Sequence, residues 1–408
     1  MQIKPVLSAL RRHKAGTLLI ALQIALTLAI VCNALFIIQQ RVSHLSRPTG
    51  LVESDLIAVQ MRWVGSKTDF IPLIKTDLAT LRSAPGIEDA YATNSFPLRN
   101  GGWSMGVRTN PDAKKSITQS TIYFTDEHAL ATMGVRLVEG KNFDAGDIHS
   151  LDPKTSIAMP KVIITQALAK KVFPEGSALG KTIYITQEGK PSTVIGIVEK
   201  LQVPWVGNWA AGFDDNSIMI PAIMNSDFLI YLVRTKPGQQ DAVMKTVVAK
   251  LQAVNRMRVI PEKTGLRSFA EVRRNAYDSD RGMAIMMSIV CVVLLAITAA
   301  GIVGLTSFWV GQRRRQIGVR RALGATKNDI LSYFLTENLL IGGAGVIVGV
   351  GLAIGMNMWM MAQFEMARLS VLYVFVGVVV LLLLGQGAVL APAMRAARVP
   401  PVEATRSV

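Results

Sequence analysis

The sequence predicts a membrane protein with four transmembrane α-helices and one large α+β extracytoplasmic (periplasmic) domain inserted between the first and second of them. Three observations predict it. Half of the 408 residues are hydrophobic and only 18% are charged, below the roughly 25% usual for soluble domains. The apolar residues are clustered, with one block near the N-terminus and three after Met283, and a long middle of ordinary globular composition. The net charge of +16 is concentrated beside those blocks: Arg11, Arg12 and Lys14, then Arg313, Arg314, Arg315, Arg320 and Arg321, then Arg395, Arg398 and Arg406. Positive-inside bias places basic residues there, so the charge reads as membrane orientation and not as a nucleic-acid footprint.

The first span covers residues 15–38, about 24 residues, enough for a helix to cross a ~30 Å hydrocarbon layer. It reads as an uncleaved anchor: its apolar core is longer than that of a signal peptide and runs into Gln39, Gln40 and Arg41. Residues 283–310 form the second span, which must leave the bilayer at Arg313, Arg314 and Arg315 because each arginine at mid-membrane costs about 3 kcal/mol. The third and fourth spans cover 333–361 and 371–391, joined by a short link containing Gln363, Glu365 and Arg368. An even number of spans returns the C-terminus, 392–408, to the side of the N-terminus, 1–14. Both termini and the loop 313–330 are therefore expected in the cytoplasm of a bacterial inner membrane, with 41–282 outside.

Gly345 with Gly349, Gly351 with Gly355, and Ala300 with Gly304 follow small-xxx-small spacing, which permits close helix approach. Packing within the chain and packing between two copies are equally compatible with it. The spans are read as free of Asp, Glu and Lys, an expectation that counts against an ion-coupled carrier.

In the outer domain, a strand (56–63), a helix (70–83) and a strand (88–94) are punctuated by Pro85 and Gly86. A similar unit recurs as strand 228–235, turn, helix and strand 256–260, the helix placing Met244, Val247, Val248, Leu251 and Val254 on one face. The two units are expected to pair into one lobe, from 50–115 and 225–265. The stretch 116–222 is expected to form a second lobe rich in β structure, with strands 120–125, 161–165, 181–186 and 192–198 and helices at 127–133 and 166–173. Residues 266–282 read as a polar stalk helix running into the second span without a Gly or Pro break.

Signals of catalysis are weak. Gly176, Gly180, Lys181 and Thr182 resemble a phosphate-binding loop, but only three residues separate the glycines where four are needed, and a strand follows instead of a helix. A helix stop and a turn into a strand is the alternative. Asp126 with Glu127, and Asp214 with Asp215, are neighbours in sequence and read as solvated turn residues. Cys32 and Cys291 sit in spans as small hydrophobes. His13, His44, His128 and His149 lack the spacing of a metal site and read as surface residues. No cofactor is expected on this chain.

The loop RRRQIGVRRALGATKNDI, residues 313–330, is the most informative stretch. At 100° per residue Arg313, Arg314, Ile317, Arg320 and Arg321 share one face, while Val319, Ala322 and Leu323 form the other, with Arg315 at its edge. This predicts a short amphipathic helix at the membrane surface, ended by Gly324, with Ala325 and Thr326 turning the chain and Asn328 capping the next helix. Lipid-headgroup anchoring and docking of a cytoplasmic partner both fit it.

RRRQIGVRRALGAT in this loop, KVIITQALAKKVFPEGSALGKTI, STVIGIVEKL and GVRLVEGKNF in the outer domain, and the ending RVPPVEATR resemble the FtsX-like permeases. That family includes the membrane part of MacB-type ABC exporters and the lipoprotein-releasing permeases, and the resemblance spans nearly the whole chain. It implies a two-lobed outer domain and a dimeric permease, paired with a second copy or a related permease. It also implies that the loop around Ile317 to Ala325, with Arg313, Gly318, Arg320, Arg321, Ala322, Leu323 and Gly324, meets a cytoplasmic ABC ATPase. Only fourteen residues precede the first span, so that ATPase, with its ATP and Mg, is expected on a separate protein. The function implied is transmission of ATP-driven motion to the outer domain for efflux or extraction of a substrate, with a periplasmic adaptor as a further partner. Activation of a cell-wall hydrolase, as FtsX proteins perform, is the alternative.

Overall fold

The computed structural model describes residues 14–65, 69–152, 157, 159–185, 190–364 and 368–400. Arg11, Arg12, His13, Glu365, Arg406 and most of the RVPPVEATR ending lie outside the described residues. The chain divides into two compact units, one of Met1–Leu45 with Asp280–Val408 and the other of Ser46–Ser279.

Helix α1 (Lys14–Leu45) opens the chain and continues past the apolar run that ends near Ile38. The inserted unit then begins with β1 (Leu56–Trp63), α2 (Ile71–Ser83) and β2 (Ile87–Thr93). Its second stretch comprises β3 (Trp103–Val107), β4 (Thr118–Thr125), α3 (Ala129–Met133), β5 (Leu137–Gly140), β6 (His149–Leu151) and β7 (Lys161–Thr165). It continues through α4 (Gln166–Val172), β8 (Thr182–Ile183), β9 (Ser192–Val198) and β10 (Ser217–Met224). The unit closes with β11 (Phe228–Thr235), α5 (Gln240–Val254), β12 (Arg258–Val259), β13 (Leu266–Ser268) and α6 (Phe269–Ala276).

Two sheets build this unit. The first has the order β12-β1-β11-β2, with β13 also on β1, and every pairing in it is antiparallel. The two strand-helix-strand stretches thus share one sheet, with β1 and β11 as central partners. Their helices cover the same core, in which Ile74, Leu78 and Leu81 of α2 join Val243, Val247 and Leu251 of α5. Val247 and Leu251 are buried as expected and Met244 and Val248 pack at the edge of the core, but Val243 is buried and Val254 only half-buried, so the apolar face of α5 is shifted slightly toward Val243. Inside this core Arg258 donates to both oxygens of Asp77, at 2.6 and 2.9 Å, and the Tyr231 hydroxyl donates to Asp77 Oδ2 at 2.7 Å. Arg258 also lies 4.1 Å from the centroid of the Trp63 ring. Fully buried charges are tolerable only when paired and hydrogen-bonded in this way.

The second sheet has the order β3-β4-β10-β7-β9-β5, with β6 on β10 and β8 on β9. It is mixed, with β4 and β10, and β7 and β9, running parallel. Three expectations are corrected here. Residues 103–107, assigned from sequence to the first lobe, pair with β4 and belong to the second sheet. Strand β10 escaped the sequence reading because Pro221 interrupts its run, and proline cannot donate to a ladder. The structure places Pro221 just past Met219, where pairing to β7 ends, and just before Ala222, where pairing to β6 starts. The stalk helix 266–282 is not one helix. Leu266–Ser268 is a strand on β1, and Ser268 then caps α6 in a reciprocal box with Glu271. The helix stops at Tyr277, whose backbone angles are φ −107° and ψ 12°, and a new helix starts at Asp278 without a Gly or Pro between.

That helix is α7 (Asp278–Gln312), followed by α8 (Arg314–Ala322), α9 (Lys327–Phe364) and α10 (Val371–Ala397). Together, α1, α7, α9 and α10 are long and apolar enough to cross a membrane. Polar side chains join them: the hydroxyls of Thr27 and Thr298 are 2.8 Å apart, and Asn33 Nδ2 donates to Ala353 O at 3.1 Å. Such interhelical bonds satisfy groups that hydrocarbon cannot. The expectation that the spans carry no acidic residue is corrected by Glu337, which falls within 333–361 and is 3% exposed. Its charge is tolerated because an arginine meets it.

Candidate functional site

The loop between α7 and α9 is built on helix α8. Its preceding residue, Arg313, is 9% exposed and sends Nη1 to both Glu337 oxygens, each at 3.0 Å. One turn on, Ile317 is 5% exposed and joins an apolar cluster with Trp309, Ile330, Phe334, Ala393 and Ala396. A further turn on, Arg321 Nη1 donates to Ala397 O at 2.6 Å, satisfying a carbonyl at the C-terminus of α10, where a cation also suits the helix dipole. Residues four apart share one helix face, so Arg313, Ile317 and Arg321 form a single row that ties α8 to α9 and α10. Arg320 lies over the Tyr333 ring, 4.9 Å from its centroid.

The opposite face is apolar and open. Val319 is 45% exposed and Leu323 84% exposed, with Ala322 and Gly324 also exposed, and Ala325 half-buried. The helix closes in a Schellman arrangement: Ala325 N donates to Arg320 O and Gly324 N to Arg321 O, with Gly324 at φ +98°. Only glycine takes that backbone conformation without strain. The following helix is capped by Thr326 and not, as expected, by Asn328. Thr326 Oγ1 accepts from Asp329 N, and Asp329 Oδ2 accepts from Thr326 N.

Of the loop residues singled out from sequence, Arg313, Ile317 and Gly318 are buried, Arg321 and Ala325 are half-buried, and Arg320, Ala322, Leu323 and Gly324 are exposed. Sequence reasoning missed Glu337 and Tyr333, which receive the arginines. An acidic residue inside an apolar span is rare and demands a partner, and that signal was available.

The glycine pairs separate into two kinds. A Cβ on Gly345 would stand 2.7 Å from Ala21 O, and one on Gly349 2.9 Å from Ala25 O, so this pair lets α9 lie against the α1 backbone. Gly351, Gly355 and Gly304 have open space at the same position.

The residues weighed for catalysis take structural places. Gly176 and Gly180 adopt φ of +78° and +75°, in the turn between α4 and β8, and Lys181 covers the Phe173 ring. Asp126 is not a solvated turn residue: it is 3% exposed, accepts from Arg82 Nη2 at 2.9 Å and from His128 N at 3.0 Å, and burial pushes its carboxyl up to about 6 despite Arg82. Asp214 and Asp215 are bound by Arg47, and Asp215 also by Lys200. Among the described residues no group of His, Cys, Asp and Glu is arranged to hold a metal.

Among the described residues, four bilayer-length helices, a two-sheet domain between the first and second, and a short basic helix between the second and third define a multi-pass membrane protein. The MacB-like periplasmic core domain matches residues 17–251 and the FtsX-like permease C-terminal matches residues 288–401, and the chain belongs to this family of ABC transporter permeases. MacB of Chromobacterium violaceum, a macrolide export ATP-binding/permease protein, is 26% identical over 230 residues, 55% of this chain and 33% of that protein. YknZ of Bacillus subtilis, described as an uncharacterized ABC transporter permease, is 24% identical over 340 residues, 81% of this chain and 78% of that one. The chain thus spans 33% of the length of the Chromobacterium relative and 40% of that of MacB from Neisseria gonorrhoeae. The periplasmic region of MacB from Actinobacillus actinomycetemcomitans is 13% identical, with a TM-score of 0.35 over 57% of this chain and 97% of that one.

Proposed function

We propose that the chain is the permease subunit of an ABC-type transporter, in which α8 docks against a separate cytoplasmic P-loop ATPase and passes ATP-driven motion to the inserted domain for efflux or extraction of a substrate. The observation that carries this reading is the division of α8 into a fastened face and a free one. Arg313, Ile317 and Arg321 are committed to α9 and α10, while Val319, Ala322 and Leu323 are presented outward. A push on the outward face reaches two spans through an ion pair, a packed side chain and a hydrogen bond. The same division argues against headgroup anchoring as the main role, since Arg313 and Arg321 are engaged by α9 and α10.

ATP and Mg then belong to the ATPase, and the permease works as a pair with a second copy or a related permease. Gly351 and Gly355, open on α9, suit close helix contact across such a pair. A periplasmic adaptor and membrane lipids complete the partners. The basic loop and the basic C-terminal end of α10 sit on the cytoplasmic side of a bacterial inner membrane, with both termini. YknZ is described as an ABC transporter permease, where MacB is described as an ATP-binding/permease protein, and the likeness to YknZ supports a separate ATPase.

Affinity purification of the full chain from cells in mild detergent tests the reading. A P-loop ATPase should co-purify, and Leu323→Asp or Val319→Asp should abolish its retention and its permease-stimulated hydrolysis while the permease stays folded. Undiminished retention and stimulation with both substitutions would overturn it.

A further inference from the structure

Within the inserted unit, the segments of the second sheet meet α2 at both of its ends. At the first, Phe70 N donates to Asn225 Oδ1 at 2.8 Å, and Asn225 N donates to Leu151 O at 2.8 Å. At the second, Arg82 Nη2 donates to Asp126 Oδ2 at 2.9 Å. Between these ties the surfaces part and leave a cleft of about 360 Å³, within the ~300–1,000 Å³ range of small-molecule sites.

One wall of the cleft is a stripe of α2 carrying Ile71, Lys75, Leu78, Ala79 and Arg82, residues that helical spacing brings to one face. Ile148 and Ile223 face it from the second-sheet side. Leu78 and Ile223 are buried, and Ile71 and Ile148 are half-buried against the same core. The floor is therefore apolar.

Charge is concentrated at the Arg82 end. Arg82 Nε stands 3.4 Å from Asp89, in addition to the bond from Nη2 to Asp126. His128 Nδ1 is 3.0 Å from Asp89 and its Nε2 is 3.8 Å from Glu127. Asp89, Asp126 and Glu127 thus share a single guanidinium. Asp126 is 3% exposed, and burial holds its carboxyl up at about 6 despite Arg82, so the arginine leaves its charge incompletely compensated. Lys75 and His149, which also line the cleft, are exposed. Water and salt screen exposed charges far more than buried ones, and the field inside the cleft favours a positive guest.

We propose that this cleft binds a small organic cation with an apolar body, its amine beside Asp126 and Glu127 and its hydrocarbon over Leu78, Ile148 and Ile223. The site belongs to the inserted unit alone. It goes beyond the coupling role of α8 and stands or falls separately from it.

The test is calorimetric titration of the full chain in detergent with 4-phenylbutylamine, 4-phenylbutanol and 4-phenylbutyrate, which keep the body and change the head. The amine is expected to bind about tenfold more tightly than the alcohol, and the carboxylate more weakly than either. Ala79→Trp, at an exposed position on the cleft wall, fills the space without touching the core and separates the site from partition into the micelle. Saturable amine binding should vanish in it. Asp126→Asn should bring amine and alcohol within about twofold of each other. Glu127→Gln, which leaves the Arg82–Asp126 bond in place, should narrow the preference as well and carries the test if Asp126→Asn fails to fold. The proposal is overturned by the absence of saturable amine binding, by equal or tighter binding of the alcohol or the carboxylate, by amine binding that survives Ala79→Trp, or by a preference that neither carboxylate variant changes. None of these outcomes depends on whether an ATPase co-purifies.

Discussion

Arg313 Nη1 stands 3.0 Å from each carboxylate oxygen of Glu337, and this buried pair joins the first residue of the basic loop to the helix that follows it. Removing one partner of a buried ion pair leaves an uncompensated charge and costs about 3–5 kcal/mol, whereas replacing both by apolar residues is close to neutral. Glu337→Gln is therefore expected to lower the midpoint of thermal unfolding in detergent sharply. The double replacement Arg313→Met, Glu337→Leu should recover most of the loss, and a double-mutant cycle on the unfolding midpoints reads the coupling.

Ile317 and Leu323 lie on the same short helix and predict opposite outcomes. Ile317→Ala empties a packed site and should destabilise the protein by about 2–5 kcal/mol. Leu323→Ala, at a position 84% exposed, should change stability by no more than about 0.5 kcal/mol. Denaturant unfolding of the two variants in matched micelles makes the comparison.

Glycine to alanine in a helix interior normally stabilises by up to about 1 kcal/mol. In the single chain held as a monomer in detergent, that gain is expected at Gly351 and Gly355, where a Cβ meets open space. At Gly345 and Gly349 the sign reverses, because the added carbon would meet backbone of α1 at 2.7 and 2.9 Å and overpacking costs about 1–3 kcal/mol. Thermal midpoints of the four single variants check the reversal.

Asp126 makes stability depend on pH. Its folded-state value, about 6, exceeds the unfolded value near ~3.9, so the folded form binds the proton more tightly. The resulting stabilisation is fully present below ~pH 4 and is lost as pH rises through about 6, with a span of roughly 3 kcal/mol. Asp126→Asn should flatten the dependence in this window. Amide exchange of β4 and its neighbours, measured across that range, reports it.

The layout of spans and inserted domain was legible because a bilayer imposes long apolar runs and basic flanks that no tertiary detail can hide. Strands such as Leu56–Trp63 and Phe228–Thr235 were legible for a related reason: buried central strands are mostly apolar and are bounded by turn residues. Strand β10 was not, since Pro221 is harmless only where neighbouring pairings change over, which is a property of the sheet. The stalk also misled. Ser268 and Glu271 form a cap that stops a helix from starting at Leu266, and the turn at Tyr277 has no local breaker to announce it.

At the loop, helical periodicity alone determined that Arg313, Ile317 and Arg321 share a face opposite Val319, Ala322 and Leu323. Which of those faces points inward was decided by tertiary structure. A basic face on a surface helix ordinarily turns to solvent or lipid headgroups, and here its Arg313, Ile317 and Arg321 row turns inward because Glu337 and the Ala397 carbonyl receive the two arginines, while exposed Arg320 lies over the Tyr333 ring. Those partners lie 13 or more residues away along the chain, so only the folded chain brings them to the helix and leaves Leu323 exposed.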